Sequence, residues 1–246
     1  MRITWLLIGL LLCPASGRAA DPSALWKIVS GKCVPHQQAA GDPSPCALVD
    51  LSLGVAVLKD IVGIAQFLLI PTSRISGIED PAILAPGATN YWQSAWQARR
   101  FLEERLHAKV PRDAVSLAIN SALARSQDQL HIHVDCVRPD IHDVLAANLD
   151  KVASTWTPFP VLLMGHSYRS IRIAQDTLDG VDPFRMLADS KSEGEMGTHT
   201  LVVVGAVFPD GTNGFILLDD HADLFAGDPA HGEELQDHAC AIATKS

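Results

Sequence analysis

The chain reads as an α+β protein, a mainly antiparallel sheet with flanking helices. Three features predict this. Short apolar runs at residues 55–58 and 67–70, and again at 201–207 and 214–218, are separated by turn residues in the manner of hairpins. Residues 90–107 repeat apolar side chains at helical spacing. Gln129-Leu130-His131-Ile132-His133-Val134-Asp135 alternates polar and apolar residues without a break, the period of a strand with two unlike faces.

In chain order, Asp21-Pro22-Ser23 leads a short helix that ends near Lys32, and the Pro-, Gly- and Gln-rich stretch 33–48 is a loop. The first hairpin turns through Lys59-Asp60-Ile61-Val62-Gly63, and Pro71 ends its second strand. Residues 72–90, with Gly77, Pro81, Pro86 and Gly87, form a long loop, and loops of such length usually carry function. In the helix that follows, Trp92, Ala95, Trp96, Arg99 and Leu102 fall on neighbouring turns. The tryptophans suit core packing, or alternatively an apolar wall for a lipid tail or a base. A strand at 114–119, a polar loop at 120–127 and the alternating strand come next. Asp140, after Pro139, caps a helix that runs to residue 154. Residues 155–168, with Pro158, Pro160 and Gly165, cross over and contain Gly165-His166-Ser167-Tyr168; Pro209-Asp210-Gly211-Thr212-Asn213 turns the last hairpin.

Composition sets the class. With 246 residues, 48% hydrophobic and 19% charged, the chain can bury one large core. Residues 1–19 have the anatomy of an export signal or N-terminal membrane anchor: Arg2, an apolar run from Trp5 to Cys13, then small residues ending in Gly17 and Ala19. Residues 20–246 are then the folded domain. Cleavage would remove Arg2 and Arg18 and take the formal charge from −9 to −11. Such an acidic body argues against nucleic-acid binding, which needs basic surfaces, so a phosphate ligand must meet a local cluster of donors. Four cysteines remain, and an even number in an exported chain suggests two disulfides, with three pairings open. Cys33–Cys46 would close the Pro-rich loop, and Cys136–Cys240 would tie the C-terminus to the end of the histidine strand. A zinc site is the rival reading, disfavoured by the irregular spacing.

On the alternating strand, Gln129, His131, His133 and Asp135 share a face. Adjacent same-face imidazoles stand roughly 6–7 Å apart by strand rise, so one can attack while its neighbour holds the group attacked. Upstream lie Asn120 and the pair Ser126-Gln127. This arrangement resembles the histidine triad superfamily, whose motif is three histidines on alternate strand positions; here glutamine stands at the first. The resemblance implies that His131 is the nucleophile, with His133 and Gln129 beside it. It implies that Asn120, Ser126 and Gln127 hold phosphate oxygens. Gln129 can donate a hydrogen bond but cannot carry a proton or a positive charge.

Further blocks narrow the likeness. Asp42-Pro43-Ser44-Pro45-Cys46, Val57-Leu58-Lys59-Asp60, Gln66-Phe67-Leu68-Leu69-Ile70-Pro71-Thr72, Ala95-Trp96-Gln97-Ala98-Arg99, Cys136-Val137-Arg138-Pro139-Asp140 and Gln236-Asp237-His238-Ala239-Cys240 resemble the bacterial CDP-diacylglycerol pyrophosphatases. That likeness implies hydrolysis of CDP-diacylglycerol, a lipid substrate, to CMP and phosphatidate through a cytidylyl-histidine intermediate, without a cofactor. It also implies attachment to the bacterial inner membrane, facing the periplasm. Lys59 and Arg138, in matching blocks beside strands, are expected at the second phosphate, with Arg74 and Arg99 as further candidates. His166 could line the site or be a buried structural histidine. The 72–90 loop and the Trp92/Trp96 helix are the expected membrane contacts. Two other readings stand beside this one. His131, His133 and Asp135 could bind a metal that activates water, or the chain could bind CDP-lipid without turning it over.

Overall fold

A computed structural model describes residues 21–190 and 195–243. The expected signal or anchor segment therefore lies outside the described residues. Among these residues no helix is long and apolar enough to cross a membrane. The core is one ten-stranded sheet. Its strands are β1 (Leu48–Asp50), β2 (Val55–Lys59), β3 (Phe67–Pro71), β4 (Val115–Ile119), β5 (Ile132–Val137), β6 (Thr157–Pro158), β7 (Arg169–Ile173), β8 (His199–Val207), β9 (Asn213–His221) and β10 (Gln236–Asp237). They lie in the order β1-β2-β3-β5-β4-β8-β9-β7-β6, and β10 pairs with the far end of β5. Every pairing is antiparallel.

The two faces of the sheet differ. On one face Val57, Leu69, Val134, Leu117, Val203 and Leu217 form a continuous apolar surface under α3 (Tyr91–Leu106). Asn90 opens α3 by accepting a hydrogen bond from the Gln93 N–H at 3.1 Å, and His107 closes it in a left-handed conformation. Trp92 and Trp96 are fully or almost fully buried, at 0% and 2% exposure, so they are core and cannot touch a membrane. Trp96 packs edge-on against Phe215, and Arg99 and Arg112 stack on its ring. Arg99 is thereby held on the α3 face, opposite the histidines.

The other face carries two separate apolar patches. The N-terminal helices α1 (Ala24–Ile28) and α2 (Val34–Ala40), joined by a π-turn at Val29–Cys33, cover Ala56, Leu58, Leu68 and Ile70. At the opposite side α4 (Pro139–Ala146), with Phe159, Tyr168 and Phe208, covers Val202, Val204, Ile216 and Leu218. Between the patches β5 shows its polar side.

The helical region runs on to Ala40, where the sequence suggested a loop. The π-turn ends at Cys33 and Val34 opens α2, so Pro35 sits in its first turn, where no N–H is needed, and Gly41 ends the helix at φ 68°. Strand β7 was not anticipated, because Arg169 and Arg172 break its apolar pattern; they are neutralised by Asp219 and Asp210. The helix α5 (Pro183–Asp189) was missed too, and α4 stops at Ala146 rather than running to residue 154. Both expected disulfides, Cys33–Cys46 and Cys136–Cys240, are present, which removes the zinc reading of the cysteines.

Candidate functional site

The strand register places the site. Ile132, Val134 and Cys136 join the core beneath α3, which turns His131, His133 and Asp135 to the opposite face. His133 lies between Leu68 on β3 and Ala118 on β4, in the middle of the sheet. The two imidazoles lean together edge to face, with centroids 4.8 Å apart. That is closer than strand rise alone suggests, because the rings tilt within the gap.

One ring nitrogen of His131 is left free by its hydrogen bonding. Its Nδ1 lies 2.7 Å from the backbone carbonyl of Gln129. A carbonyl only accepts, so Nδ1 carries the proton and Nε2 keeps its lone pair. Burial lowers the His131 pKa, against the opposing pull of the Gln129 carbonyl and the Glu233 carboxylate. Neutral imidazole therefore persists to lower pH than in a free histidine. Burial, then the proximity of His131, brings His133 down to about 3. Its Nε2 is buried without a partner.

Glu233 organises the rest. Its backbone N–H donates to Asn120 Oδ1 at 3.1 Å, while Asn120 Nδ2 donates to its carboxylate at 3.1 Å. Gln66 Nε2 donates to the same carboxylate at 3.1 Å, and His133 Nδ1 lies 3.2 Å away. His231 and His238 face it through Nε2 at 3.5 Å and 3.6 Å. Burial alone would raise the Glu233 carboxyl; His231, the proximity of His133 and the two amides outweigh it and hold the group well below the usual carboxylate range. In return, Glu233 raises His231, and Asp135, bonded to His238 Nδ1 at 2.9 Å, raises His238. Two cation-prone imidazoles thus stand beside a neutral pair. Unlike Gln129, both can carry charge.

Glu233, His231, His238 and Gln66 were not anticipated. A signal existed: a Cys136–Cys240 bond brings the residues just before Cys240 beside β5. Glu233→Gln should therefore lower the His231 pKa toward its free value, read by NMR titration of the ring protons. An unchanged His231 would show that the carboxylate does not set its charge.

Other expected residues are placed differently. Gln129 is fully buried and donates to the carbonyls of Pro71 at 3.2 Å and Ser73 at 2.9 Å, so its amide fixes the exit of β3. Gln127 spends its carboxamide on the start of α1, accepting from the Leu25 N–H and donating to the Asp21 carbonyl. Ser126 is exposed in the loop beside it. Asn120 is in the site, but both ends of its amide hold Glu233. The Lys59 ammonium closes the β2–β3 turn by donating to the carbonyls of Asp60, Val62 and Gly63. Arg138 forms a two-point pair with Asp140 at the far end of β5, seven residues and roughly 23 Å of strand rise from His131. Arg74 lies over the Trp26 ring. His166 lies elsewhere, against Asp228 at 2.5 Å.

The metal reading of His131, His133 and Asp135 is not supported by the geometry. Asp135 accepts from His238 and from the Cys136 N–H. Among the described residues the ligand atoms of these three do not converge, whereas those of His166, Asp220 and Asp228 do.

A family model described as CDP-diacylglycerol pyrophosphatase matches residues 20–244. The chain belongs to the CDP-diacylglycerol pyrophosphatase family. It is 44% identical over 227 residues to the CDP-diacylglycerol pyrophosphatase of Yersinia pestis, covering 92% of this chain and 86% of that protein. The match includes β5 and the C-terminal segment that carries Glu233 and His238, so the site lies within the family's own region.

Proposed function

We propose that this enzyme hydrolyses CDP-diacylglycerol to CMP and phosphatidate through a covalent cytidylyl-histidine formed on His131. The observation that carries this reading is the 2.7 Å contact of His131 Nδ1 with the Gln129 carbonyl, which assigns the proton to Nδ1 and leaves Nε2 free to attack. Nε2 bonds to the cytidylyl phosphorus, the phosphoanhydride P–O bond breaks, and its electrons leave on the phosphate of phosphatidate. Water then attacks the same phosphorus, the P–N bond breaks, and CMP departs. The leaving group is a stable phosphate anion, so the main demand is placement and neutralisation of charge. His231 and His238, both raised in pKa, meet that demand. His133 packs the His131 ring in place.

Rapid quenching with CDP-diacylglycerol labelled at the cytidylyl phosphorus tests the intermediate. The label should sit on the peptide containing His131, with the acid lability and alkali stability of a phosphoramidate. Turnover with no protein-bound label would point instead to direct attack by water.

The lipid substrate demands contact with a bilayer, and one edge of the sheet suits it. At the end of the strands where His131 opens, the turns expose Leu123, Leu162, Met164, Leu224 and Phe225, with Phe225 fully exposed. We assign this edge to the membrane, and the segment 1–19 to holding the domain at the periplasmic face of the inner membrane. Phe225→Ser should weaken sedimentation with phospholipid vesicles while leaving turnover of short-chain, micelle-free substrate intact. Equal sedimentation of both proteins would move the contact elsewhere.

A further inference from the structure

A second cluster lies level with His131 on the same face of the sheet. Ala118 pairs with His133 and with Val202, so two residues on, Asn120 neighbours both His131 and Thr200, and Thr200 pairs with Asp220. Three strand spacings of ~4.8 Å separate His131 from Asp220, roughly 14 Å. There a nitrogen of His166 and a carboxylate oxygen from each of Asp220 and Asp228 lie within 4.8 Å of one another. Glu234 approaches His166 Nε2 at 3.8 Å from the same short turn that carries Glu233.

The cluster is not balanced by protein charge. Asp220 is 6% exposed; its Oδ1 accepts from the His221 N–H, and its Oδ2 is buried with no partner. Among the described residues no lysine or arginine forms an ion pair with Asp220, Asp228 or Glu234. His166, Tyr168 and the more distant His231 are the groups that face them. Burial and the neighbouring Asp228 raise the Asp220 carboxyl to about 7. A buried carboxylate left in that state costs several kcal/mol unless a proton or a cation joins it.

We propose that His166, Asp220 and Asp228, with Glu234 in reach, bind a divalent cation of the manganese–zinc class. One imidazole with two or three carboxylates is a donor set for such ions. Ligands at ~2.0–2.2 Å from the ion stand about 3–3.5 Å apart, so the His166–Asp228 contact opens by about 0.5–1 Å to admit it. The ion would cross-link the 159–168 loop to the 222–228 turn, which His166 and Asp228 already join. These segments carry Leu162, Met164, Leu224 and Phe225. The proposal is independent of the His131 chemistry, since no step of that scheme passes through this cluster.

The test is uptake of the metal alone by the full-length, detergent-solubilised protein after removal of metals with EDTA. Calorimetry with Mn²⁺ and, separately, Zn²⁺ should show one site in the wild type. Asp220→Asn and His166→Gln should each weaken it by about 10–100-fold or more. If Asp220→Asn does not fold, His166→Gln, at a partly exposed position, decides alone. No uptake by the wild type, or uptake equal to wild type in a folded variant, overturns the site and leaves a proton as the neutralising partner.

Discussion

His131→Ala should abolish release of CMP from CDP-diacylglycerol, by roughly 10⁴-fold or more, because removal of a nucleophile removes the whole two-step route. The assay is CMP release in detergent micelles containing EDTA. Wild-type turnover should survive the chelator, since the histidine route needs no metal at the reacting phosphorus. The variant should still fold, because His131 lies at the edge of the core and makes one hydrogen bond, to the Gln129 carbonyl just before β5. A variant retaining a tenth of wild-type activity would sink the covalent route. Activity lost to EDTA and restored by zinc would revive the metal route. If neither protein turns over yet CDP-lipid binds, the chain is a binding protein whose altered triad has lost its chemistry.

The second large effect concerns the Cys136–Cys240 bond. It closes a loop across a sequence separation of 104 and is fully buried on the α3 side of β5. A loop of that length restricts the unfolded chain by about 4.7 kcal/mol on the chain-entropy model. Replacing both cysteines with alanine should lower Tm by about 10–20 °C at this size. Activity should fall as well. The bond anchors the segment that brings Gln236 onto the carbonyls of Ser116 and His133 and His238 onto Asp135. The matching change at Cys33 and Cys46, which closes a separation of only 13 beneath the N-terminal helices, should destabilise less and leave the kinetics closer to wild type. Full activity in the Cys136/Cys240 variant would mean that the β10–β5 pairing alone holds Glu233 and His238 in place.

The reach of the sequence differs from element to element. Alternation at 129–135 reveals the strand and its histidine face because side-chain direction in a strand has a fixed period of two. The same logic gives both hairpins and α3, whose tryptophans prove to be core. Strand β7 stays hidden, because its two arginines are stabilised by aspartates far along the chain, and α2 stays hidden, because Pro35 breaks helices except in a first turn.

The site divides in the same way. Sequence by itself determined which strand carries the paired histidines and which family the residues resemble, since each depends on local periodicity or on short matched blocks; the cysteine pairing it left open among three was decided by the fold. Only the tertiary structure decided what surrounds His131. Glu233 lies 113 residues from Asn120 and 167 from Gln66, so no spacing rule could join them. Of the expected phosphate donors, Lys59 closes its own turn, Arg138 pairs with Asp140 two residues on, and Gln127 holds the distant start of α1. The imidazoles that do stand beside His131 and His133 are His231 and His238, which the folding of the C-terminal segment onto β5 sets against a shared carboxylate. Residue type limits what a side chain can do; the partners that fix its charge and tautomer come from remote chain, and only the packed sheet brings those together.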